Sequence, residues 1–173
     1  MRSQDGFVDG QFSWFTGVVE DRFDPEELNR VRVRCFGYHS ENRADLETED
    51  LPWATVMMPT TSSGTSGIGD TPHGLMEGSW VVGFFRDGPS AQDPIVMGSI
   101  ATQTPTGEVD ENDNPIYEKD IPSQSSVDNK VYKSKAGHLI EIDNTSGAEK
   151  IKITHGKTNS HIEFTSTGKI RII

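Results

Sequence analysis

Residues 30–36 read RVRVRCF, and the reading of this stretch decides the fold class. Successive side chains of an extended backbone point to opposite sides. Val31, Val33 and Cys35 therefore share one face, and Arg32, Arg34 and Phe36 the other. One apolar and one largely charged face predict a half-buried strand. Working outward, residues 15–20, 53–58, 79–85 and 94–100 are further short apolar runs punctuated by Gly and Pro. No long run between Phe12 and Ala101 carries apolar residues at helical spacing. Asp24-Pro25 opens a turn, because Pro presets φ and the Asp carboxylate bonds to the backbone ahead, with a helical turn over residues 26–29. Five short strands in about ninety residues predict a small closed barrel, since closure removes the exposed edges of an open sheet.

Beyond the barrel the composition changes. Residues 102–130, TQTPTGEVDENDNPIYEKDIPSQSSVDNK, are rich in Pro, Ser, Asn and acids, which predicts an acidic linker that Ile116, Tyr117 and Ile121 dock onto a neighbouring surface. A second β pattern follows at residues 139–142, 150–155, 161–164 and 169–173, separated by DNTSG, GKTNS and STG turns. Ile140 and Ile142, Ile151 and Ile153, Ile162 and Phe164, and Ile170 and Ile172 each sit two apart. Roughly 43 residues make too thin a core to bury such strands alone, so association with copies of the chain is expected. The organisation read from the sequence is a tail over residues 1–11, a barrel over 12–101, a linker over 102–130 and a β-rich stem over 131–173. The sequence ends within the apolar IRII, which leads us to expect further protein after it.

Acidic residues outnumber basic ones by 27 to 16 in the 173-residue chain, a net charge of −11 that repels a polyphosphate backbone and argues against nucleic acid as partner. Mean hydropathy is −0.56, on the polar side for a protein that packs all of its chain into a core. MRSQDGFVDG has no apolar run, so no secretory signal is read there, and synthesis in a cytoplasm is expected. The single Cys35 excludes an intramolecular disulfide.

The ordered series WFTGVVEDRFDPEELNRVRVRCFGYH, LPWATVMMPTTSSGTSGIGD, EGSWVVGFFRDG and PIVMGSI resembles the N-terminal OB domain of the central spike proteins, or tail lysozymes, of T-even-type contractile phages. The same domain type occurs in baseplate V proteins and in the VgrG spikes of type VI secretion. Downstream, AGHLIEIDNTSGAEKIKITH is similar to the stem entry of these spikes, through Gly137, His138, Glu141, Asp143, Thr145, Gly147, Glu149 and His155. The resemblance implies an all-β chain: a five-stranded OB-like barrel, a linker, and a stem that begins a trimeric β-helix. It implies a structural homotrimer in the virion, assembled in the host cytoplasm. That trimer would join a ring-shaped baseplate hub to a needle that contacts the host envelope, with a spike-tip protein as a further partner. T-even spikes carry a lysozyme domain between barrel and stem. Here about 29 residues separate the two, too few for a hydrolase domain, so no enzymatic activity is expected. The alternatives are a VgrG-like secretion spike and part of a cell-wall hydrolase whose catalytic domain lies elsewhere.

Other chemistry is weakly supported. Gly64, Gly67 and Gly69 lack the Lys-Ser/Thr ending of a phosphate loop, and Asp70 and Pro72 stand where a helix would start. His39, His73, His138, His155 and His161 have no zinc spacing. Glu47, Glu49, Asp50 and Asp70 read as solvated surface, and Cys35 as a core residue, so no cofactor or metal is expected. Trp14, Trp53 and Trp80, with Phe15, Phe84 and Phe85, read as core or protein interface in preference to base-stacking platforms. Arg30, Arg32 and Arg34 form a basic stripe expected to meet an acidic patch on a partner.

Overall fold

The computed structural model describes residues 13–70, 73–119, 121–122 and 126–173, and the tail expected over residues 1–11 lies outside them. The chain divides into two compact units, residues 1–100 and 101–173.

The first unit is a closed five-stranded barrel. Its strands are β1 (Ser13–Asp21), β2 (Val31–Cys35), β3 (Trp53–Val56), β4 (Trp80–Phe85) and β5 (Pro94–Ile100), joined in the order β1-β2-β3-β5-β4 and back to β1. All pairings are antiparallel except β3 with β5. The inward set of β2 is the one read from the sequence: Val31, Val33 and Cys35 are fully buried. They pack with Phe15, Val19, Ala54, Leu75, Val81, Phe85 and Val96. Two glycines let the wall close. A Cβ on Gly17 would lie 2.7 Å from Val33 Cγ1, and one on Gly83 would collide with the Ile95 carbonyl and sit 2.6 Å from Phe15 Cζ.

The helical turn expected over residues 26–29 does not form. The Asp24 carboxylate instead gathers the backbone N–H groups of Glu26, Leu28 and Arg30 at 3.0–3.1 Å, and Glu27 and Asn29 adopt left-handed φ values of 55° and 58°. An Asp offering two oxygens to three donors competes with helical hydrogen bonding and wins here.

The second unit holds two separate sheets. Where a linker was expected, β6 (Gln103–Val109) and β7 (Pro115–Lys119) form an antiparallel hairpin. Its tip is shaped by Asp110, whose Oδ1 accepts the N–H groups of Asn112 at 2.8 Å and Asn114 at 2.9 Å. The sequence shows little apolar alternation there because every residue of both strands is exposed. The other sheet is a five-stranded meander of β8 (Asn129–Lys133), β9 (Leu139–Asp143), β10 (Lys150–Thr154), β11 (His161–Phe164) and β12 (Ile170–Ile172), paired in strict chain order. Among the described residues, the segment expected to be a stem is thus an open five-stranded sheet with β8 and β12 at its edges.

Candidate functional site: the isoleucine face and the turns at its ends

Strand register sorts the meander into two faces. Tyr132, Ile140, Ile153, Ile162 and Ile172 stand opposite one another across all five strands. A second row aligns Ile142, Ile151, Phe164 and Ile170 beside them. These nine side chains keep between 38% and 78% of their surface exposed. On the reverse face Val131, Glu141, Lys152, Glu163 and Arg171 lie in register, and Arg171 pairs with Glu163 at 3.3 Å. Alternating acid and base across strands satisfies that face, whereas the isoleucine face has no complement within the sheet. An uncovered apolar surface of this kind marks an interaction site.

The stem-entry residues expected from the sequence fall into three places. Gly137, His138 and His155 come together at one end of the sheet. There the Gly156 N–H donates to His138 Nδ1 at 3.2 Å, and the His138 and His155 rings lie 4.6 Å apart. Gly137 takes φ +81°, and a Cβ on Gly156 would collide with the Ala136 carbonyl oxygen and lie 2.5 Å from Gly137 C. The two turns therefore touch backbone to backbone, which only small residues permit. Asp143, Thr145, Gly147 and Glu149 build the β9–β10 turn at the opposite end. Asp143 Oδ1 accepts the Thr145 N–H at 3.0 Å and its hydroxyl at 2.6 Å, and Oδ2 lies 3.4 Å from Lys150 Nζ. The Thr145 hydroxyl leads the effects that hold the Asp143 carboxyl below its usual range. Glu149 is exposed. Glu141 stands apart on the reverse face, buried, accepting the Asn129 amide at 3.4 Å. Apart from Glu141, the motif residues thus lie in or beside the turns at the two ends of the apolar face.

The arginine stripe is engaged within the barrel. Arg30 holds Asp24 through two bonds of 2.6 and 2.9 Å, which chiefly keep the Asp24 carboxyl far below its usual range. Arg32 lies 4.6 Å over the Trp53 ring and donates to the Thr48 carbonyl at 2.8 Å. Arg34 is buried, and its guanidinium meets both oxygens of Glu20 at 2.8 and 3.0 Å. That bond, with help from the Thr48 hydroxyl at 2.7 Å, lowers the Glu20 carboxyl to about 2. The expected meeting of this stripe with a partner's acids thus faces internal competition at all three positions. Sequence reading missed Glu20 and Thr48. Their signal was an arginine on a strand whose other face is fully apolar, which calls for a nearby acid.

The remaining candidates among these residues lie in the first unit. Burial pushes the Cys35 thiol up to about 12, the opposite of a nucleophile. Desolvation lowers His39 and His73. Gly64, Gly67 and Gly69 lie in an exposed loop that folds on itself through Ser62 and Ser63. Glu47, Glu49, Asp50 and Asp70 are exposed. No group of three His, Cys, Asp or Glu side chains among the described residues is placed to share a metal ion. Phe15 and Phe85 pack inside the barrel, Trp14 meets Phe84 edge-on and Trp80 lies against Phe36. Trp53 is covered by Arg30 and Arg32.

Comparison with known proteins adds an independent line. The family described as "Gp5 N-terminal OB domain" matches residues 37–164, from the end of the second barrel strand to β11. The chain is 42% identical over 113 residues to "Protein Gp5" of Vibrio phage KVP40, covering 61% of this chain and 26% of that protein. It is 47% identical over 85 residues to "Pre-baseplate central spike protein Gp5" of Enterobacteria phage T4, covering 46% of this chain and 15% of that protein. It therefore spans 26% and 15% of these two curated relatives. A family match over most of the chain, laid on a closed five-stranded barrel, settles the kinship: the chain belongs to the Gp5 N-terminal OB domain family.

Proposed function

We propose that the chain is a structural part of the central spike of a contractile phage tail, and that three copies assemble through the isoleucine face. The observation that carries this is the pair of apolar rows on a single-layer sheet, nine large side chains left half exposed. Full burial of one such side chain stabilises by roughly 1.5–3 kcal/mol, so covering nine from about half exposure supplies on the order of 10 kcal/mol per copy. A sister copy offers the same surface in return, and symmetric closure satisfies every copy alike. The name of the T4 relative, a pre-baseplate central spike protein, supports a place in the virion's baseplate, and both relatives belong to phages, which favours a phage tail over a secretion machine.

On this reading the barrel meets the ring-shaped hub and the stem continues toward the needle, its tip and the host envelope. Assembly precedes this in the host cytoplasm. The work is mechanical: stiffness comes from sheet hydrogen bonding and apolar burial, and no bond is made or broken by the chain. Sedimentation equilibrium of the full chain tests this. A trimer is expected, and a stable, folded monomer at tens of micromolar would refute it.

A further inference from the structure

The β6–β7 hairpin is amphipathic and uncovered. Register places Pro105 opposite Tyr117 and Val109 opposite Pro115, and residues paired in register share a face. Pro105, Val109, Pro115 and Tyr117 thus form an apolar patch toward the hairpin's tip, on the face that carries Gln103 and Lys119 at its other end, and Val109 is 56% and Tyr117 52% exposed. The hairpin's other groups are acidic: Glu108, Asp110, Glu111, Asp113 and Glu118 against Lys119 alone. Among the described residues it pairs with no other strand. A two-stranded hairpin by itself is marginal in water and needs a surface to rest on.

A surface of matching chemistry exists on the meander. From Lys130 onward the chain carries eight Lys and Arg against four Asp and Glu, although the whole chain has a net charge of −11. Lys130, Lys150 and Lys169 lie at the end that also carries Asp143 and Glu149, whereas Lys133, Lys135 and Lys157 lie at the end where Gly137 meets Gly156, with no acid in its turns. The adjoining turns, residues 133–138 and 155–161, read KSKAGH and HGKTNSH and contain no acid. There the row of Tyr132, Ile140, Ile153, Ile162 and Ile172 floors an open concavity of about 720 Å³ rimmed by Lys133, His138, His155 and His161. Lys135 and Lys157 stand exposed on the same turns.

We infer that the β6–β7 hairpin is an intersubunit arm: its apolar face lies on the isoleucine floor of a second copy while its glutamates meet that copy's Lys133, Lys135 and Lys157. This rests on the assembly of copies proposed above and adds which element covers the lysine-bearing end. The row of Ile142, Ile151, Phe164 and Ile170 is left for contact between the sheets themselves. In an otherwise anionic chain, this arrangement also guides each hairpin: like charge repels it from the acidic regions, and the acid-free basic turns attract it.

Two exposed triple variants of the full chain test the inference. One is Glu108→Lys, Glu111→Lys, Glu118→Lys in the hairpin. The other is Lys133→Glu, Lys135→Glu, Lys157→Glu on the turns. Each alone is expected to weaken trimer formation at least tenfold at low ionic strength, with the loss shrinking as salt rises. An equimolar mixture of the two is expected to co-assemble more tightly than either variant alone, which a contact within one chain does not produce. Far-UV circular dichroism of each variant controls for folding. Trimers as stable as the parent in the hairpin variant, or a mixture with no gain, overturn the arm and leave the spike reading standing. A parent chain that never assembles sinks the spike reading first.

Discussion

Ile151 offers a quantitative test of the isoleucine face, because it sits mid-sheet between Ile142 and Phe164 and is 47% exposed. Ile151→Ala removes three carbon groups. At about 0.8 kcal/mol per buried CH₂, their complete burial is worth about 2.4 kcal/mol. Roughly half of that is already realised inside one chain, which leaves about 1.2 kcal/mol per copy to be gained on assembly. Three copies lose about 3.6 kcal/mol together, and with 1.4 kcal/mol per factor of ten the trimer association constant falls by about 400-fold. Because that constant scales with the square of concentration, the midpoint of assembly moves up by about 20-fold. Sedimentation velocity over a dilution series reads this midpoint directly. Lys152→Ala, one residue along on the reverse face, is the control and is expected to shift it little. Equal midpoints for Ile151→Ala and the parent would show that this face does not meet another copy, and the reasoning would fail.

The Glu20–Arg34 pair makes the barrel acid-sensitive in a defined window. Its carboxyl is lowered from 4.5 to about 2, so the stability it contributes is complete above about pH 4.5 and is lost as pH falls toward 2. Glu20→Gln is expected to cost about 3 kcal/mol at pH 7, as when a buried pair is broken. It should also flatten the fall in stability below pH 4.5. Trp14, Trp53 and Trp80 all lie in the first unit, so urea titrations followed by tryptophan fluorescence at pH 7, 4.5 and 3 check this; parallel losses in parent and variant would refute it. Gly156→Ala is expected to force apart the turns that meet at Gly137. Trypsin should then cut faster at Lys133, Lys135 and Lys157, with the tryptophan-detected midpoint of the barrel unchanged.

The barrel was legible because its strands obey a period of two with a fully apolar inner set. Val31, Val33 and Cys35 point inward as their spacing requires, and Pro94–Ile100 begins and ends where it was expected to. Two elements were not legible, for opposite reasons. Glu26–Asn29 looked helical by composition, yet one carboxylate, Asp24, outcompetes a helical turn for its donors. Residues 103–119 looked like linker because both strands are exposed throughout and their few apolar residues are spread among prolines and acids, so apolar alternation is weak. The pairing of isoleucines two apart revealed a two-faced stem. Their alignment into two continuous rows depends on register, which the turn geometry around Gly147 and Gly156 sets and local pattern does not. The internal partners of Arg32 and Arg34 were hidden for a similar reason, since Glu20 meets Arg34 through the β1–β2 pairing and the Thr48 carbonyl meets Arg32 through the path of the β2–β3 connection.

The guanidiniums of β2 also do something besides pairing charge. Arg34 donates to the carbonyls of Ser40 and Leu46, and Arg32 to that of Thr48, so the long acidic excursion between β2 and β3 is riveted at three points to the strand it leaves. A load applied to the outside of that excursion is passed straight into the barrel wall and not absorbed by a yielding loop. On the proposed spike reading, this bracing keeps the excursion stiff under a sudden stroke.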